Sequence, residues 1–112
     1  MTAPETSLVV LAEYVAAAGQ EDRLRTALEA MIEPSLDEPG CLAYRAYGDP
    51  NHPASMVVIE EWAGAGARER HLTTPHHRHA AQVLDLVLAE PMVVRTLVTA
   101  SGAGGAVSNA VR

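Results

Sequence analysis

Hydrophobic positions along this chain switch between a period of two and a helical period, and the switches mark its elements. Residues 8–14, Leu-Val-Val-Leu-Ala-Glu-Tyr, form an apolar, β-branched-rich run that predicts a strand. Ala18 and Gly19 break it. Glu21 and Asp22 then place negative charge where the first turn of a helix favours it. Leu24, Ala27, Leu28, Met31 and Ile32 recur at helical spacing, with Arg23, Arg25, Glu29 and Glu33 elsewhere on the wheel. Pro34 is expected to kink or end this amphipathic helix. Asp37-Glu38-Pro39-Gly40 is turn chemistry before a second strand at 41–47. A loop at 48–53, dense in turn formers, leads to a third strand at 55–62, which makes a hairpin with the second.

A short helix is predicted at 68–72. Thr74 can cap the next helix and Pro75 suits its first position. Ala80, Val83, Leu84, Val87 and Leu88 share one side of that helix, and Glu90-Pro91 ends it. Residues 92–99 predict a fourth strand. Residues 1–7 read as a loose lead-in. The Gly-, Ala- and Ser-rich tail at 100–112 should be flexible unless a neighbouring subunit holds it.

The resulting order, β-α-β-β-α-β, predicts an α+β ferredoxin-like fold: an antiparallel sheet with helices on one face. One domain, 1–112 with a core over 8–99, accounts for the chain. The third strand is apolar at Val57 and Ile59 as well as at Met56 and Val58, so both sheet faces need cover. A homodimer that packs sheet on sheet would supply it.

Composition narrows the partners. Hydrophobic residues make up 48% of the chain and Phe is absent, so the core must be aliphatic and the few rings stand out. These are Tyr14, Tyr44, Tyr47 and Trp62. Net charge is −6, and Arg68, Arg70 and Arg78 are interleaved with Glu69 and histidines, so nothing here attracts a nucleic acid. A single Cys allows no intrachain disulfide and fits a reducing compartment. No signal-peptide pattern opens the sequence, and no apolar run approaches the roughly 20 residues that span a bilayer. A cytoplasmic protein without a membrane partner is expected.

The candidate chemistry is concentrated between Glu60 and His79, which hold the only Trp and four of the five His. Alternation puts Val58, Glu60 and Trp62 on one face of the third strand, and Val57, Ile59 and Glu61 on the other. Tyr44 lies on the opposite face of its strand from Arg45 and Tyr47. Trp62 offers a flat apolar surface and one N–H donor. Imidazole is the natural base near neutral pH. His71 and His76 are therefore the candidate catalytic residues, with Trp62, Glu60 and Tyr44 as candidate substrate contacts. A structural alternative stands beside each: core packing for Trp62, a salt bridge for Glu60, a dimer contact for Tyr44, and carbonyl capping for His71. For His76 it is plain surface exposure in a first turn, where the helix dipole favours the neutral ring. His77 and His79 are expected to be solvated. His76 and His79 share a helix face, but no Cys or carboxylate pattern completes a metal site, and none is expected. Cys41 is expected to pack rather than react.

Three marks resemble the antibiotic biosynthesis monooxygenase family of small dimeric α+β-barrel proteins. They are Glu38-Pro39-Gly40-Cys41 before the strand with Tyr44, Glu60-Glu61-Trp62 at the end of the hairpin, and His71-Leu72-Thr73-Thr74-Pro75-His76. The resemblance covers about residues 8–98. That family includes quinol and polyketide-anthrone oxygenases, heme-degrading oxygenases and an isomerase of a phosphorylated autoinducer. What it implies here is a monooxygenase, independent of any cofactor, that oxidises a small hydroxylated aromatic with O2. Heme-degrading members carry an Asn on the first strand, and residues 8–14 contain none. Some polyketide oxygenases carry an Asn four residues before the Trp, where this chain has Val58. Two alternatives remain. One is an isomerase of a small phosphorylated, sugar-like signal, for which Arg23, Arg25 and Arg45 are the available anchors. The other is a non-enzymatic dimer module that binds an aromatic ligand or heme.

Overall fold

β1 (Leu8–Val15) is the strand around which the molecule is built, hydrogen-bonded on both edges. The computed structural model describes residues 7–98; the lead-in up to residue 6 and the tail at 100–112 lie outside that range. α1 (Glu21–Leu36) crosses to β2 (Cys41–Asp49), which turns into β3 (His52–Trp62). α2 (Ala65–Leu72) and α3 (Pro75–Val87) follow, and β4 (Val93–Val98) closes the order. The sheet is antiparallel in the order β2-β3-β1-β4, the ferredoxin-like arrangement expected from the β-α-β-β-α-β pattern.

The helices cover one face. Val10, Ala12 and Tyr14 of β1, Tyr44 of β2 and Val58 and Trp62 of β3 point into them. Leu24, Leu28 and Met31 of α1 and Ala80, Leu84 and Val87 of α3 meet them from above. The third-strand alternation is therefore resolved: the face with Val58, Glu60 and Trp62 is the interior, and Val57, Ile59 and Glu61 are on the outer side.

Two local boundaries differ from expectation. α1 runs two residues past Pro34 and ends at Leu36. The proline sits in the last turn, where its missing N–H removes a single ladder bond, and Ser35 beyond it is fully buried. The expected loop at 48–53 is a tight turn, with Asn51 N–H donating to Asp49 Oδ1 at 2.8 Å. β3 consequently begins at His52, and Pro53 falls in a register shift of the β2–β3 ladder, where the pairing passes from Gly48↔Met56 to Asp49↔His52.

Three junctions place the site. Gly40 adopts φ +84°, and a Cβ there would lie 2.7 Å from the Cβ of Ala67. Only glycine lets the start of β2 pass this close to α2. Thr74 accepts the His77 N–H at 3.2 Å with Pro75 at the helix start, as the sequence predicts. The far end of α3 is tied to β1 by Ala17 N–H to Val87 O and Ala89 N–H to Val15 O, both 2.8 Å.

Candidate functional site

Glu60 lies on the inner face of β3, only 3% exposed, and its Oε1 accepts two hydrogen bonds. One comes from Trp62 Nε1 at 2.9 Å, its neighbour two residues on along the same face. The other comes from Arg68 Nε at 3.0 Å, reaching down from α2. A buried carboxylate that pairs with a guanidinium and an indole N–H is well satisfied. Trp62 is completely buried, and its ring lies 4.7 Å from that of His71.

His71 is 1% exposed at the end of α2. Its Nδ1 is 2.8 Å from Glu38 Oε2, and the same oxygen is 2.6 Å from His76 Nε2. A carboxylate oxygen can only accept, so each imidazole donates its N–H to it. In the neutral ring that fixes His71 as the Nδ1–H tautomer and leaves Nε2 a free lone pair. Glu38 is held between α1 and β2 by its own N–H to Ser35 O at 3.1 Å and its carbonyl to Cys41 N–H at 3.1 Å. Its position depends on the turn at Gly40.

Two cavities flank this cluster. The inner one, about 250 Å³, lies between the helices and the sheet. Its polar lining is Tyr14, Tyr44, Glu60, Arg68, His71 and His77, with Asp85 of α3, and its remaining walls are aliphatic. The outer one, about 410 Å³, is a cleft between α1 and α3 and includes His76 and His79. His71, Tyr44 and Glu60 thus border one space and His76 borders another. Trp62 lines neither; it lies behind His71.

The inner cavity holds its tyrosines protonated. Burial, reinforced by the Glu60 carboxylate, pushes the Tyr14 hydroxyl up to about 12. The same two causes raise Tyr44 as well. Both hydroxyls are therefore donors, not bases, at any ordinary pH. Burial, with His71 and Arg68 adding, lowers His77 and keeps it neutral. Burial and then Glu38 push the Cys41 thiol up to about 11, so it is no thiolate nucleophile.

Four residues around this site were not among the sequence candidates: Glu38, Arg68, Tyr14 and His77. Glu38 was visible only as part of a motif, and its partners lie 33 and 38 residues away. Among the described residues, Glu38, His71 and His76 are the group of His and carboxylate side chains whose donor atoms, one from each, fall within 4.8 Å of one another. The carboxylate that completes the cluster comes from outside the helix, and it joins His76 to His71 rather than to His79. Arg23 lines the outer cleft, Arg25 pairs with Asp22 at 3.1 Å on the surface, and Arg45 is exposed, so none of the three borders the inner cavity.

Residues 7–83 match the family described as antibiotic biosynthesis monooxygenase. The chain belongs to this family. Among its relatives, the Mycobacterium tuberculosis protein named "Putative monooxygenase Rv0793" is 32% identical, over 87% of this chain and 92% of that protein. The Synechocystis protein sll1783 is 31% identical over 67 residues, which is 60% of this chain but only 46% of its own length. The crystal structure of PA3566 from Pseudomonas aeruginosa superposes with a TM-score of 0.83 at 28% identity, covering 89% of this chain and all of that one. The Rv0793 structure gives 0.81 at 26% identity, covering 87% and 98%. No helix of the described residues is long and apolar enough to cross a membrane.

Proposed function

We propose that this member of the antibiotic biosynthesis monooxygenase family oxidises a small hydroxylated aromatic, of quinol or polyketide-anthrone type, with O2 and without a cofactor. The observation that carries the reading is His71. Its Nδ1–H is committed to Glu38, and the ring borders a cavity whose two tyrosines are held as donors.

The chemistry follows from those roles. Ground-state O2 is a triplet and reacts slowly with closed-shell molecules. Transfer of the substrate hydroxyl proton to His71 Nε2 makes an electron-rich anion. A tyrosine hydroxyl at the cavity wall stabilises the anion's oxygen. The anion passes one electron to O2, the radical pair closes to a peroxide, and the His71 imidazolium returns the proton to make it a hydroperoxide. For an anthrone, loss of water leaves one oxygen atom as the new ring carbonyl, and the oxidised methylene carbon supplies all the electrons. Aliphatic walls keep bulk water from the anion. Glu60 and Arg68 frame the site, and Trp62 backs His71.

The test is oxygen uptake with a panel of quinols and anthrones in the presence of a chelator. The expected result is one O2 consumed per molecule oxidised, unaffected by the chelator. Turnover that continues without oxygen would select an isomerase instead. Ligands recovered unchanged after prolonged aerobic incubation would reduce the protein to a binding module.

The reading includes a cytoplasmic homodimer. The outer sheet face carries Val9, Leu11, Val57 and Ile59, with Val93 46% and Leu97 41% exposed beside them. A second copy laid on this face would bury the apolar stripe. Sedimentation equilibrium is expected to give twice the chain mass, and Ile59→Lys to shift it toward the monomer. A monomeric wild type would remove the dimer from the proposal.

A further inference from the structure

The geometry points to the cleft between α1 and α3 as a second binding site, one that takes the apolar tail of a substrate whose ring lies beside His71. This rests on the functional reading above and names the substrate class more closely: a hydroxylated aromatic head bearing a hydrocarbon chain.

The first observation is a shared wall. Met31 and Ala80 border both the inner cavity and the cleft. These residues form a shared boundary between the two spaces, one from each helix. On the α3 side it is only a methyl group. On the α1 side it is a methionine, 4% exposed, unbranched and with three rotatable bonds. A Met is the apolar side chain best able to swing aside without leaving a rigid gap.

The second observation is size. The inner cavity, about 250 Å³, falls below the range of roughly 300–1,000 Å³ that holds larger organic ligands. It leaves room for a fused aromatic ring system but not for a long substituent on it as well. The cleft next to it is the larger of the two, about 410 Å³.

The third is chemistry. Ala27, Ala30, Met31, Ala80 and Val83 give the cleft an apolar floor, while Arg23, Thr26, His76 and His79 stand among its polar residues. A saturated chain gains from the floor and asks nothing of the polar groups. A second polar ring or a phosphate would leave the floor wasted.

The experiment is anaerobic calorimetric titration of the full chain with 1,4-naphthohydroquinone and its 2-alkyl series from methyl to octyl. Each methylene buried in the cleft should tighten binding about fourfold, until the cleft is full. Val83→Trp and, at the more exposed edge, Ala30→Trp are expected to abolish that dependence on chain length. Leu86→Trp, on the 79% exposed side of α3, should leave it intact. Thermal unfolding of each variant identifies any that does not fold, and either cleft variant suffices. A ring that binds with an affinity independent of chain length overturns the tail site alone. Chain-length dependence that survives a folded cleft variant does the same. A series in which not even the bare ring binds removes both this inference and the reading of the inner cavity.

Discussion

Replacing His71 with alanine is expected to lower kcat for oxygen-dependent oxidation by about 10²–10⁴-fold, with a much smaller change in KM. The ring is the one imidazole that both borders the inner cavity and has its tautomer fixed by a half-buried carboxylate. Its loss removes the acceptor for the substrate proton while the cavity's other walls remain. Glu38→Gln should fall between wild type and His71→Ala. The amide oxygen can still accept from Nδ1–H, but the negative charge that stabilises the imidazolium is gone. His76→Ala should cost least, because the Glu38–His71 bond survives and His76 lines the other space. The checks are steady-state oxygen uptake with a naphthohydroquinone and circular dichroism of each variant. Equal losses in His71→Ala and His76→Ala would show that the two rings act as one unit. An undiminished His71→Ala enzyme would take the base out of the mechanism.

The order of strands and helices was legible because each element carries its own period. So was the face shared by Val58, Glu60 and Trp62, which strand alternation dictates. Alternation does not say which face is the interior, and it says nothing of depth. Trp62 could be placed on the right side of the sheet without any sign that it lies wholly beneath His71. Arg68 reads as one more charge on a polar helix until α2 folds down and sets its guanidinium on Glu60. The pairing of Glu38 with two histidines joins the turn between α1 and β2 to two helices, and no local pattern encodes such a contact. His71 and His76 are five residues apart, yet the break between α2 and α3 turns them toward different cavities. Pro34 marked the end of α1 only to within two residues, because the cost of a proline depends on how much helix follows it.

The Glu60–Arg68 pair gives the second large effect, this time in stability. Arg68→Met is expected to destabilise the fold by about 3 kcal/mol, the lower end of the range for stripping one partner from a buried ion pair. The lower end applies because the Arg68 side chain is 16% exposed and the Glu60 carboxylate keeps its bond from Trp62. What remains after the substitution is a carboxylate with 4% side-chain exposure and a single donor. The double variant Glu60→Gln/Arg68→Met should recover most of the loss. Its amide oxygen still accepts from Trp62 Nε1, and no buried charge is left without a partner. Urea unfolding of the four proteins closes the cycle, and a strong non-additive term is the expected outcome. Losses that simply add would mean that the two charges do not depend on each other. The pair matters to function through position. It fixes the indole on which the His71 ring rests, and it places a compensated charge at the wall of the inner cavity. The Tyr14 hydroxyl is raised by burial and then by Glu60, so the glutamine variant should bring its titration down, which a spectrophotometric titration can follow.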